Sequence, residues 1–209
     1  MNALQLRDAM LSHRGTFRCS RIQGKDESKV VEFSHSLTPP TEVDHLPEIG
    51  KLKDFYAVVG SVEFYLDPRS GDSARYIASP AQWPELHQEF SGWLSHLDES
   101  ERDEYLPDWI DSCLVLGEEP HSGNYILMPT EGSEAGSIVH FEHDGFEFIR
   151  QASDILQYAE ALLDLNDSGL AYIATHMRFV EDDYTVQWWI QELRDNRGNI
   201  AKLSTGQKH

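Results

Sequence analysis

The sequence predicts an α+β fold, an antiparallel or mixed β-sheet of about five to six strands flanked by helices. Two helical stripes precede a run of short apolar segments separated by turn clusters, and a third helix follows that run. Connections between those segments are too short for parallel crossovers, so neighbouring strands should run antiparallel.

In chain order, Leu4, Met10 and Leu11 suggest a short first helix. Phe17–Ile22 and Val30–Phe33 read as strands around the polar turn Gly24-Lys25-Asp26-Glu27-Ser28, and Pro39-Pro40 ends that segment because neither residue can extend a ladder or helix interior. Leu46, Ile49, Leu52, Phe55, Tyr56 and Val59 recur at three- and four-residue steps, as one face of a helix does, with Gly60 placed as its C-cap. Ser61–Leu66 alternates in the manner of a half-buried strand, with Val62, Phe64 and Leu66 on the apolar side. After the turn at 68–71 and the pair Ser79-Pro80, a stripe of Trp83, Leu86, His87, Phe90, Trp93, Leu94 and Leu97 predicts the second long helix. The acidic stretch 98–104 is too polar to pack and belongs on the surface.

Four strands are then expected at Ser112–Leu116, Asn124–Met128, Gly136–Phe141 and Phe146–Ile149, the last two joined through His143-Asp144-Gly145, an Asp-Gly hairpin signal. Ser153 is a natural N-cap for a helix carrying Ile155, Leu156, Ala159, Leu162 and Leu163 to about Asn166. The last forty residues read as a meander of Leu170–Val180, Tyr184–Leu193 and Asn199–Leu203, with turns at 181–183 and 196–198. Val186, Trp189, Ile190 and Leu193 fit a helix face as well.

The 209 residues carry a formal net charge of −19. Residues 1–29 and 194–209 are each net +3, and 30–193 is net −25. Between Asp103 and Met177 the single Lys or Arg is Arg150, beside fifteen carboxylates. Such a surface repels phosphate backbones, which argues against direct nucleic-acid binding, and it steers cationic macromolecules inward. No apolar run approaches the roughly 18 residues of a membrane span, and Met1–His13 lacks the pattern of a signal peptide. Cys19 and Cys113 are far apart and outside any CxxC; one bridge is conceivable, but two buried thiols in a reducing, cytoplasmic compartment fit the spacing better.

Candidate chemistry is sparse. His140-Phe141-Glu142-His143-Asp144 has metal-ligand residue types, but the histidines are three apart at a hairpin rather than four apart on a helix. On a strand His140 and Glu142 share a face while His143 points away, so the two histidines should not share a ligand. A phosphate loop and a GxSxG elbow are missing, and Cys113 sits in an apolar strand where thiols are inert. No enzyme constellation stands out, and no cofactor or metal is expected. Among the tryptophans, Trp83 and Trp93 read as core of the second long helix, whereas Trp188-Trp189 puts one indole on each side of a strand and leaves one for a partner contact.

Leu46-Pro47...Leu52-Lys53-Asp54-Phe55-Tyr56, the strand after Gly60, Trp109 ahead of a strand, Gly123-Asn124-Tyr125-Ile126-Leu127-Met128, and the run from Gly136 to His143-Asp144-Gly145 occur in an order that resembles the SUKH superfamily, in its Smi/Knr-type branch of cell-wall-regulator-like proteins. The helix from Ile155 to Leu163 matches that family's closing helix. The resemblance implies a SUKH-like domain at 40–166, an N-terminal extension at 1–39 and a β-rich C-terminal extension at 167–209 packed on the same domain. It implies a protein without catalysis, in which Trp109, Gly123, Asp144 and Gly145 serve the fold. Many bacterial members look like immunity proteins that neutralise a polymorphic toxin, often a nuclease. A basic nuclease cleft would be met by the carboxylates of Asp98, Glu99, Glu101, Asp103, Glu104, Asp108, Asp111, Glu118 and Glu119, all expected on one exposed side. The alternative is an intracellular scaffold or regulator that docks an endogenous partner through the same fold.

Overall fold

The structure is a computed structural model describing residues 1–21, 27–165, 178–180 and 187–202. Its strands are β1 (Gly15–Arg21), β2 (Ser28–Leu37), β3 (Val62–Leu66), β4 (Arg75–Ile77), β5 (Cys113–Glu119), β6 (Asn124–Pro129), β7 (Ile138–Glu142), β8 (Glu147–Ala152), β9 (Arg178–Val180), β10 (Gln187–Asp195) and β11 (Ile200–Lys202). They form one antiparallel sheet in the order β11-β10-β1-β2-β3-β4-β5-β6-β7-β8, with β9 beside β10. The helices among the described residues are α1 (Ala3–Ser12), α2 (Leu52–Tyr56), α3 (Trp83–Leu94), α4 (Glu99–Tyr105) and α5 (Ile155–Ala161).

The α+β class and antiparallel pairing follow the sequence, but among the described residues the sheet has ten strands along its path instead of five or six. The terminal segments account for the difference. β1 pairs β10 from Gly15↔Asp195 to Arg21↔Trp188, and β2 pairs β3, so both flanking segments continue the central sheet. The terminal strands are expected as strands but not as members of this sheet, whereas the short β4 is not expected at all. β5 through β8 are consecutive antiparallel neighbours, as expected. The 187–195 stretch is a strand rather than a helix. Residues 24–26 of the turn expected at 24–28, the turn expected at 181–183, and the parts of the predicted strands at 22, 170–177, 184–186 and 203 lie outside the described residues.

Both sheet faces are covered around β3–β7. Phe90 of α3 packs edge-on against Tyr125 and Phe141, with ring centroids 5.5 and 5.2 Å apart. Phe141 in turn meets Phe148, which meets Trp109. The opposite face buries Phe64, Ile77, Ile126 and Ile138, with Leu52, Phe55, Ile155 and Tyr158 of α2 and α5 in the same core. At the other end of the sheet α1 contributes Leu6 and Met10, while Leu4 and Leu11 are exposed. Cys19 and Cys113 are both buried free thiols, and burial pushes each up to about 12.

Several local expectations are corrected. The helix expected over 46–59 is confined to Leu52–Tyr56 because Gly50 and Lys51 adopt left-handed conformations, φ 50° and 62°. A Cβ at Gly50 would lie 2.5 Å from the Gly136 carbonyl oxygen, so this break lets the segment reach the loop before β7. Trp93 is 38 % exposed rather than core, and His87 is exposed. Asp154, rather than Ser153, caps α5 by accepting from the Gln157 N–H at 2.9 Å, and the helix ends at Ala161 instead of near Asn166. Tyr65, expected on the polar side of β3, is fully buried: the β2–β3 register shifts beside it, and its φ of 55° swings the ring inward.

Gly60 is not a left-handed cap. Its hydrogen is needed because a Cβ there would sit 2.1 Å from the Pro39 carbonyl oxygen and 2.6 Å from Thr38 Oγ1. Gly60→Ala and Gly60→Asn should therefore both destabilise the fold by about 2 kcal/mol or more, by overpacking against backbone. Urea unfolding checks this: an Asn variant as stable as the parent would restore the capping role.

Candidate functional site

The acidic segment folds where its local chemistry directs. Asp98 caps α4, accepting from the Ser100 and Glu101 N–H groups at 2.9 Å each, while Glu101 Oε2 accepts the Asp98 N–H at 2.9 Å. Carboxylates in the first turn are favoured by the helix dipole. α4 buries none of its residues. Asp98, Glu99, Asp103, Glu104, Asp108 and Asp111 are exposed, and Glu101 is half-buried. Arg102 is the cation within this stretch, 3.3 Å from Asp111 Oδ1.

Glu118 and Glu119 part company because adjacent residues on β5 face opposite sides of the sheet. Glu118 is half-buried on the α3 side, opposite Tyr76, which is itself opposite Glu63. These three line a polar cleft with Ser36, Thr38 and His121. No hydrogen bond or ion pair engages the Glu63 or Glu118 carboxylate among the described residues. Burial and the neighbouring charge of Glu89 on α3 raise the Glu118 carboxyl above its ordinary value, against a smaller opposing effect of His121.

Glu119 lies in the interior, 5 % exposed, and is corrected from surface residue to core ion. Its Oε2 is 2.7 Å from Arg75 NH1 and accepts from Asn124 Nδ2 at 2.9 Å, with His140 Nε2 at 3.6 Å. Burial opposes its charge, but Arg75, His140 and Asn124 outweigh that and hold it at about 2. Asn124 Oδ1 accepts from the His143 N–H, and His143 Nδ1 lies 3.0 Å from that same oxygen. Since the amide nitrogen already donates to Glu119, His143 donates through Nδ1; its Nε2 lies 3.0 Å from Asp144 Oδ1, a contact that becomes an ion pair only when both ring nitrogens carry protons. Trp93 covers the His143 ring with centroids 4.8 Å apart.

His140 and His143 thus address different partners, the first in the core and the second at the hairpin. Glu142, His143 and Asp144 each bring a ligand atom within 4.8 Å of the others, but Glu142 is engaged in the turn by the Asp144 and Gly145 N–H groups. Trp188 and Trp189 lie in β10, paired in backbone with Arg21 and Ser20; their side chains are outside the described residues. Sequence reasoning missed Arg75 and Asn124. The available signal was alternation: extending β5 past Leu116 forces one of two adjacent glutamates inward, where it needs a cation.

No protein-family profile, curated protein or solved structure matches the chain. Among the described residues, no helix is long and apolar enough to cross a membrane.

The Arg75–Glu119 pair sets a stability test. Glu119→Gln leaves a buried guanidinium unpaired and should lose about 3–5 kcal/mol, whereas the double change Arg75→Met with Glu119→Leu should lose far less. Because the folded carboxyl lies below its ordinary value of 4.5, its contribution is complete above that pH and disappears as the pH falls from about 4.5 towards about 2. Urea titrations of the parent and both variants between pH 7 and pH 3 measure it; a double variant as damaged as Glu119→Gln would refute the charge-pair account.

Proposed function

We propose that this chain is a non-catalytic binding protein of immunity type, which neutralises a basic, nuclease-type toxin domain by covering its phosphate-binding cleft. The observation that carries this reading is the exposed carboxylate surface of α4 and the segment after it, with Glu99, Asp103, Glu104 and Asp108 free of any ion pair among the described residues. A helix with no buried face contributes little to a core, and its charges are available to a partner. The resemblance to SUKH immunity-type proteins supplies the class of partner.

The cleft of Glu63, Tyr76 and Glu118, on the α3 face of the sheet, supports the same reading. A half-buried carboxylate beside a second carboxylate, neither in an ion pair among the described residues, favours a partner's lysine or arginine entering between them. Exposed charges on α4 would then govern encounter, and the cleft would govern residence.

The test is association kinetics with a toxin nuclease domain encoded beside this chain's gene. Replacing Glu99, Asp103, Glu104 and Asp108 by Gln or Asn should lower the association rate on the order of tenfold at about 0.05 M salt, with the urea midpoint unchanged. Glu63→Gln with Glu118→Gln should instead raise the dissociation rate. Association that is indifferent to salt and to the quadruple change would place the interface elsewhere.

A further inference from the structure

A second buried polar array ties both ends of the chain to the sheet, and the proposed binding surface does not use it. His13 follows α1, His35 lies on β2, and Asp195 ends β10. They are 1 %, 7 % and 8 % exposed. The Tyr65 N–H donates to His35 Nδ1 at 3.0 Å. A backbone N–H can only donate, so the proton of the neutral His35 ring sits on Nε2, 2.8 Å from His13 Nδ1. His13 is left with its proton on Nε2, directed at Asp195 Oδ2 at 3.4 Å. Asp195 also closes the β10–β11 turn, its Oδ1 accepting from the Arg197 and Asn199 N–H groups at 2.9 and 2.8 Å.

Every ring nitrogen is used once, in one sense. An added proton on His35 Nδ1 would face the Tyr65 N–H, and one on His13 Nδ1 would face the His35 Nε2–H across 2.8 Å. Phe17, Phe33 and Phe64 pack around the array and offer no alternative acceptor. We propose that His13, His35 and Asp195 form an acid-labile latch that holds α1 and the β10–β11 turn against β2 and β3, and that opens by taking up protons while β5–β8 stay folded.

The surrounding charges agree. Burial lowers both histidines; the Arg197 cation acts against a charge on either, and Asp195 partly offsets this at His13. Arg14, Glu32 and Arg194 line the cleft above Asp195, and the Tyr65 hydroxyl is turned away onto the Leu162 carbonyl. Because the folded values lie below the free-histidine value of 6.5, the latch is fully closed above that pH and loses stability as the pH falls through and below it. Uptake of two protons on opening raises the opening constant by roughly 10²–10³ between pH 7.5 and pH 5.

Amide hydrogen exchange on the full chain, expressed as protection factors at pH 7.5, 6 and 5, reads this directly. The β1 and β10 amides should lose protection by that factor while β6 and β7 retain theirs. In His35→Gln, whose amide can accept from Tyr65 and donate to His13, the drop should shrink to roughly 10–30-fold, the share of one histidine. If that variant does not fold at pH 7.5, the parent profile decides alone. Protection independent of pH, or loss in β6 and β7 in step with β1, would overturn the latch.

Discussion

The pairing of β1 with β10 is the constraint on which the rest of the sheet depends. It places Gly15 opposite Asp195 and closes a loop of most of the chain, an entropic demand of about 5 kcal/mol by loop-length scaling. What offsets it is burial: Phe17, Cys19, Ile190 and Leu193 from the paired strands become fully inaccessible beneath α1. β2 then continues the ladder from β1 to β3, and the central strands gain a covered edge in place of an open one. A register shift at that junction turns the Tyr65 ring into the space between the two halves, where it meets Phe33 at 4.8 Å and bonds the Leu162 carbonyl at the end of α5.

Carboxylates of identical chemistry do four different things here. Asp98 starts a helix, Glu119 balances a buried guanidinium, Glu118 lies half-desolvated beside Glu89, and Asp103 meets solvent. Only the last two kinds have charge left for another molecule. The net charge of −19 therefore overstates what a partner would meet at any one place, and the position of each group relative to the sheet decides its role.

Much of this was legible from pattern alone. The β5–β8 order follows from connection lengths, the α3 stripe from its period, and the α4 surface from its polarity. Elements failed where a neighbour far along the chain decides the conformation. Gly50 and Lys51 break the predicted helix so that the segment can approach Gly136, nearly ninety residues on. Tyr65 breaks its alternation because β2 sets the register. Arg75 sits in a three-residue strand too short to show a period, and its partner Glu119 lies beyond the point where the apolar run of β5 stops. Sheet membership of the two termini was invisible for the same reason, since nothing local to residues 15–21 names residues 188–195 as their partner.

The two cysteines lie one in each half of the sheet, Cys19 on β1 and Cys113 on β5. Held near 12 and shut away from solvent, neither presents a thiolate while its strand is in place. A thiol-reactive dye thus finds nothing to modify in the closed molecule, and each sulfur becomes a clock for the opening of its own half. Labelling rates separated by peptide would time the two ends of a single sheet independently, without a single engineered residue.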